Sequence, residues 1–217
     1  MSILRIGADI GSLNLPTVSD REGTRVVTLK RKDCMGPIDF DEKIAAALGF
    51  PKAKYVFVER ERRWLCRDVP RERVAQTEAI TDLYVAGTLL RLREARPIDG
   101  GAPMLRLTRK ADVAPHTRLF TSIYLPEQEF AVLAASLQGV RIKKLRHRLQ
   151  RLPGALMAVD EFQGELDGLI LAEAEFETSE LLAAFPMPDF AVREVTGDPQ
   201  FTGACLAKSG LLREAGR

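Results

Sequence analysis

The chain has 217 residues, enough for one domain with a substantial core plus an appendage, and 46% hydrophobic with 29% charged content excludes disorder throughout. With 32 basic and 30 acidic residues the net charge is only +2, so bulk charge makes no case for nucleic acid or an anionic membrane, and the sorting of charge along the strands becomes the question. No uncharged apolar run approaches bilayer-spanning length, and Arg5 and Asp9 interrupt the apolar start, so neither a signal peptide nor a membrane span is expected.

Cys34, Cys66 and Cys205 lie far apart with no CxxC, which suggests neither a zinc knuckle nor a disulfide framework and fits a reducing cytoplasm. Residues 1–52 read as an N-terminal extension: a polar run from Ser19 to Arg25, a candidate short strand at Val26 to Leu29, and the basic cluster Lys30-Arg31-Lys32. Asp39 or Asp41 is placed to cap a helix through Leu48, which Gly49 stops and Pro51 keeps from resuming.

From Lys54 onward short strand-like runs follow one another, separated by Pro, Gly and polar turns, the pattern of an antiparallel sheet or barrel rather than βαβ units. Tyr55 to Leu65 alternates, with Glu59, Glu61 and Arg63 on one face and Val56, Val58 and Trp64 on the other. Val69 to Gln76 suggests a turn opening a short helix, with Pro70 at its first position. Strands are predicted at Ile80 to Val85, Leu89 to Arg93, Met104 to Lys110 and Arg118 to Leu125, with Gly87 a turn and Arg96 to Pro103 a loop. Phe130, Leu133, Ala134 and Leu137 recur at helical spacing after Pro126, a packing helix closed by Gly139. Arg141 to Leu149 and Ala155 to Phe162 form a predicted hairpin, and Leu169 to Glu177 mirrors the opening strand, with Glu173, Glu175 and Glu177 on one face. Short helices are expected at Ser179 to Phe185 and Phe201 to Lys208.

For any single strand, the charges read first as the solvated face of a half-buried sheet. Taken together they are segregated, whereas a solvated face usually mixes signs across strands. Glu59/Glu61 and Glu173/Glu175 are acidic pairs; Arg91/Arg93, Arg106/Lys110 and Lys144/Arg146/Arg148 are basic ones. If these faces converge, the carboxylates suit a hard oxygen-seeking cation such as Mg²⁺ or Mn²⁺, and the cations suit a polyphosphate. Only His116 and His147 are available, so zinc is disfavoured, and His147 beside Arg146 reads as a surface residue. No glycine-rich phosphate loop is present, which leaves phosphate binding to side chains.

These residues resemble the CYTH domain, or triphosphate tunnel metalloenzyme, family over roughly residues 54 to 208. The resemblance rests on Glu59-Arg60-Glu61-Arg62-Arg63 for the ExExK signature, Arg91-Leu92-Arg93, Leu107-Thr108-Arg109-Lys110, Lys144-Leu145-Arg146, Val159-Asp160, Glu173-Ala174-Glu175-Phe176 and Arg193-Glu194-Val195-Thr196. It implies an α+β fold: a closed eight-stranded antiparallel β-barrel forming a tunnel, with flanking helices, over a domain at 53–210 followed by a tail at 211–217. It further implies metal ligation by Glu59, Glu61, Asp160, Glu173 and Glu175, substrate binding by Arg91, Arg93, Arg118, Lys144 and Arg146, and catalytic roles for Arg63, Tyr84 and Lys110. The activity implied is Mg²⁺- or Mn²⁺-dependent hydrolysis of a triphosphate, inorganic tripolyphosphate first, with adenylate cyclase or a non-catalytic polyphosphate- or nucleotide-binding module as alternatives. The partners expected are a triphosphate-bearing small molecule and, as one option, a second copy of the chain, with no nucleic acid and no membrane. The chain departs from the family pattern at Arg63, where a lysine is usual, at Leu119, Phe120 and Ser122, where relatives often carry further glutamate, and at Gly203, where an asparagine is frequent.

Overall fold

The computed structural model describes residues 41–209. The predicted strand at Val26 to Leu29, the basic cluster, Cys34 and the tail from 211 lie outside these residues. Nine antiparallel strands are described: β1 (Phe57–Cys66), β2 (Val74–Val85), β3 (Leu90–Pro97), β4 (Met104–Ala114), β5 (Thr117–Tyr124), β6 (Gly139–Leu149), β7 (Ala155–Gln163), β8 (Ile170–Phe176) and β9 (Ala191–Glu194). Four helices accompany them: α1 (Glu42–Ala47), α2 (Glu127–Ser136), α3 (Ser179–Ala184) and α4 (Gly203–Ser209). Among the described residues no helix is long and apolar enough to cross a membrane.

Hydrogen bonding runs β5-β4-β3-β2-β6-β7-β8-β1, and β1 pairs again with β5, so eight strands close into a ring. The expected closed eight-stranded barrel is therefore present. Strand β1 makes this closure by dividing one edge: Phe57 to Arg60 pair with β5, while Trp64 to Cys66 pair with the short β9. Closure leaves β1 no free edge along these segments.

Because each strand alternates, a charged tunnel face requires an apolar outer face. Trp64, Met157, Val159, Ala172, Ala174 and Phe176 form one buried outer cluster, against which Leu182 and Phe185 of the α3 region pack. A second outer cluster joins Val58, Ala111 and Leu119 to Ala45 and Phe50, so α1 lies on the barrel. Asp41 caps α1 by accepting from the Lys43 backbone N–H (2.8 Å), and Gly49 turns the chain away with φ +82°. Arg109, on the outer side of β4, holds this turn by donating to the Leu48 carbonyl (2.7 Å) and stacking 4.5 Å from the Phe50 ring. A third cluster lies within one end of the barrel, where Leu206 and Ala207 of α4 meet Ile142, Phe162, Leu171 and Val195.

Several elements differ from the sequence reading for reasons of tertiary pairing. The helix expected after Pro70 is a single 3-10 turn, Arg71–Arg73, because Val74 to Thr77 are drawn into the ladder with Leu149 to His147 of β6. Similarly, β3 runs into the expected Pro/Gly loop as far as Pro97, opposite Glu78. The apolar positions of α2 reach only half-burial, and no residue of that helix is fully buried, so its packing role is slight. Gly139 opens β6 and closely approaches β2, where any Cβ would meet the Tyr84 carbonyl.

Candidate active site

Side chains from all eight barrel strands line one cavity, the tunnel. Glu59, Glu61 and Arg63 reach it from β1, Glu173 and Glu175 from β8, Arg91 and Arg93 from β3, Lys110 from β4, Arg118 from β5, Lys144 and Arg146 from β6, and Tyr84 from β2. The strand register makes the acidic wall: Glu61 stands opposite Glu175, and Arg63 opposite Glu173. Asp160, the remaining expected ligand, does not line the cavity; it is buried behind it between Lys144 (2.5 Å) and Arg146 (2.6 Å). Its geometry is that of a partner to two cations.

Ion pairs run along the tunnel wall between adjacent or next-nearest strands. Lys110 donates to both oxygens of Glu59 (2.7 and 2.5 Å), Arg118 to Glu61 (2.5 Å) and Arg146 to Glu173 (2.5 Å). The Arg63 Nε lies 3.1 Å from Glu61, while its Nη1 donates to the Phe201 carbonyl (2.6 Å), tying the signature cation to the segment before α4.

These pairs divide the four glutamates electrostatically. Burial opposes ionisation of Glu59, yet Lys110 and Arg118 outweigh it and hold its carboxyl below the usual range. Glu173 is held well below that range, with Arg146 and Lys144 overcoming burial. Glu61 goes the other way: burial, then Glu59 and Glu173, push it up to about 7 despite Arg118. Glu175 is also raised, by the surrounding protein atoms and by Glu59, although its side chain keeps contact with solvent at the tunnel mouth. The Tyr84 phenol is raised by burial and by Asp82, so it remains a proton donor.

Among the described residues, no three His, Cys, Asp or Glu side chains are gathered as a ready metal cage. The donor set nevertheless fits a hard divalent cation: it is all carboxylate, and Glu61 and Glu175, raised first by burial and then by the charges of Glu59 and Glu173, are groups whose ionised form a cation would stabilise. Lys110, Arg118 and Arg146 presently supply that neutralisation.

Some tunnel residues were not assigned from sequence. Asp82 lies two residues before Tyr84 on the same face of β2, and period-two spacing was the available signal. Arg106, paired with Lys110 in the sequence but given no role there, shares the inward face of β4 with it and also lines the cavity. Ile142, Phe162, Leu171 and Leu206 make one end of it apolar, a feature that requires the barrel to close around α4. His147 proves to be buried, outside the tunnel, with Thr77 Oγ1 and Glu161 Oε2 each 3.0 Å from its ring nitrogens; these partners remove it from the surface position that its basic neighbours suggested. Cys66 is a buried thiol and Cys205 a half-buried one.

No family model matches the chain. An inorganic triphosphatase of Acetivibrio thermocellus is 44% identical over 68 residues, which are 31% of this chain and 42% of that protein; the match thus spans less than half of that relative's length. The solved structure of an inorganic triphosphatase is 24% identical, covering 69% of this chain and 93% of the other, with a TM-score of 0.48. A protein of known structure from Pyrococcus horikoshii is 19% identical over 58% of this chain and 82% of its own, with a TM-score of 0.46.

Proposed function

We propose that this chain, whose closed barrel and charge layout are those of the CYTH, or triphosphate tunnel, family, hydrolyses a triphosphate inside the tunnel, with inorganic tripolyphosphate the favoured substrate. The observation that carries this reading is the sorting of charge across one cavity: carboxylates on adjacent β1 and β8, cations on β3 to β6. A polyanion and a divalent cation are the pair of ligands that such a surface neutralises.

Binding exchanges one set of ion pairs for another. Lys110, Arg118 and Arg146 turn from Glu59, Glu61 and Glu173 toward phosphate oxygens, which leaves those glutamates, with Glu175, for Mg²⁺ or Mn²⁺. When bound, the ion supplies charge neutralisation and orientation at the phosphates. Arg91, Arg93, Arg118, Lys144 and Arg146 hold the chain of phosphates, and Arg63 and Lys110 face the charge that builds on the transferred phosphoryl group. Tyr84, kept as a phenol, donates to a phosphate oxygen. Water forms one P–O bond as the anhydride P–O bond breaks, releasing orthophosphate and diphosphate.

The test is a phosphate-release panel of tripolyphosphate, ATP and thiamine triphosphate with Mg²⁺ or Mn²⁺. Release from tripolyphosphate above the others is expected. Cyclic AMP formed from ATP would replace this reading with a cyclase, and tight binding without release would replace it with a binding module.

A further inference from the structure

Strand β1 carries Glu59, Glu61 and Arg63, and one of its edges is divided between β5, which takes Phe57 to Arg60, and β9, which takes Trp64 to Cys66. At the division the backbone is held in another way. The Glu61 N–H donates to the His116 carbonyl in the turn between β4 and β5 (3.0 Å), and the Arg63 N–H donates to Thr196 Oγ1 (2.9 Å). The Arg63 carbonyl accepts from the Val195 N–H (2.8 Å), and its guanidinium Nη1 donates to the Phe201 carbonyl (2.6 Å). One continuous segment, Glu194 to Phe201, therefore grips Arg63 by both backbone groups and by the tip of its side chain. Two turns brace that segment: the Asp198 N–H donates to the Val195 carbonyl (3.1 Å), and the Phe201 N–H to the Asp198 carbonyl (3.2 Å).

Thr196 is the pivot of this strap. A hydroxyl has one proton to give and lone pairs with which to accept. Thr196 Oγ1 lies 2.7 Å from Glu194 Oε1 but 3.4 Å from the Arg63 carbonyl, so the proton goes to the carboxylate and the lone pairs serve the Arg63 N–H. Glu194 is fixed in turn: Arg62 Nε and Nη2 donate to its two oxygens (2.9 and 2.5 Å), and this fork holds its carboxyl below the usual range. Arg62 and Arg63 point to opposite faces of β1, so the outer arginine steadies the inner one through Glu194 and Thr196. Thr196 is 4% exposed and Arg63 2%, which leaves no room for water to take over a lost bond. Arg63 still lines the cavity, and a guanidinium with one nitrogen resting on Phe201 keeps further N–H groups for phosphate. Resting on the triphosphate reading above, in which Arg63 faces the transferred phosphoryl group, we propose that Thr196 is a positioning residue for Arg63, and that the strap from Glu194 to Phe201 sets the direction of its guanidinium.

Steady-state hydrolysis of tripolyphosphate by the full chain with Mg²⁺, read beside thermal melting, tests this through a double-variant cycle. Thr196→Val, which keeps the shape and loses the hydroxyl, lowers kcat about tenfold and leaves KM within about twofold. Its melting temperature also falls, since the Arg63 N–H loses its acceptor. Thr196→Ser keeps the oxygen and stays within about threefold of the parent kcat. Arg63→Gln alone lowers kcat about 100-fold, and adding Thr196→Val costs less than about threefold more, because Thr196 acts through a side chain already removed. A threonine that served only stability would lower the melting temperature without this non-additivity. Should Thr196→Val not fold, Glu194→Gln, whose side chain is 33% exposed, takes its place in the cycle with a loss of about fivefold alone and less than about twofold beside Arg63→Gln. Parent-level kcat in Thr196→Val, or losses that multiply in the double variant, overturns the assignment. A parent chain that releases no phosphate from tripolyphosphate overturns the triphosphate reading itself, and this assignment with it.

Discussion

Glu61 of β1 and Glu175 of β8 stand directly opposite each other on antiparallel strands inside the barrel, two carboxyls where a stable sheet would ordinarily set opposite charges. The relationship makes the tunnel acidic along one wall, and the burial of Glu61 there, with Glu59 and Glu173 nearby, gives a measurable pH response. Glu61 is raised from 4.5 to about 7, so folding favours its protonated form. Its stabilising contribution is complete below about 4.5 and is lost as pH rises through about 7, a change of about 3 kcal/mol at most. Glu61→Gln, which cannot ionise, removes this fall. Urea unfolding at pH 5 and pH 8 checks it: the metal-free parent should lose more stability over that interval than the variant, and equal losses would refute it.

The same carboxylates predict how metal acts on the fold. Mg²⁺ or Mn²⁺ should raise the melting temperature more at pH 8 than at pH 5.5, because only ionised carboxylates bind a hard cation. Hydrolysis should stop on chelation and return when either ion is restored. A melting shift independent of pH would separate the ion from these glutamates.

Glu59→Gln and Glu173→Gln should each reduce triphosphate turnover roughly 100-fold or more while the barrel remains folded. Circular dichroism and steady-state phosphate release measure the two quantities separately. Full turnover in both variants would remove β1 and β8 from the chemistry.

Gly203 is the first residue of α4, and a Cβ there would run into the Tyr84 hydroxyl and ring. Gly203→Ala should therefore destabilise the protein by about 1–3 kcal/mol through overpacking, and Tyr84→Phe in the same background should recover part of that loss. An asparagine at this position would likewise have no room while Tyr84 keeps its place. Chemical denaturation of the single and double variants reads the coupling.

Burial pushes the Cys66 thiol up to about 11, within the cluster around Trp64. At pH 8 it should resist iodoacetamide in the folded protein and react on unfolding, as peptide mass mapping would detect. Rapid native labelling at Cys66 would contradict the packing of that outer seam.

The strand alternation was legible in the chain itself, since period two puts Glu59, Glu61 and Arg63 on one side and Trp64 on the other whatever the strand later pairs with. The helix caps were also local: Asp41 and Gly49 act within a few residues of α1. The resemblance supplied the closed barrel, and the site residues followed from its motifs. What the alternation could not contain was register and closure, because these depend on pairings between distant segments. Lys110 meets Glu59 across 51 positions and Arg146 meets Glu173 across 27, and neither partner is marked locally. The same holds for Val74, drawn from an expected helix into β2, for His147, buried by Thr77 and Glu161, and for the enclosure of Asp160 by Lys144 and Arg146. By itself the sequence determined which side chains share a face and how their charges are sorted. Only the tertiary structure decided which opposite charges touch, since strand order, register and closure fix which inward side chains come within reach of one another.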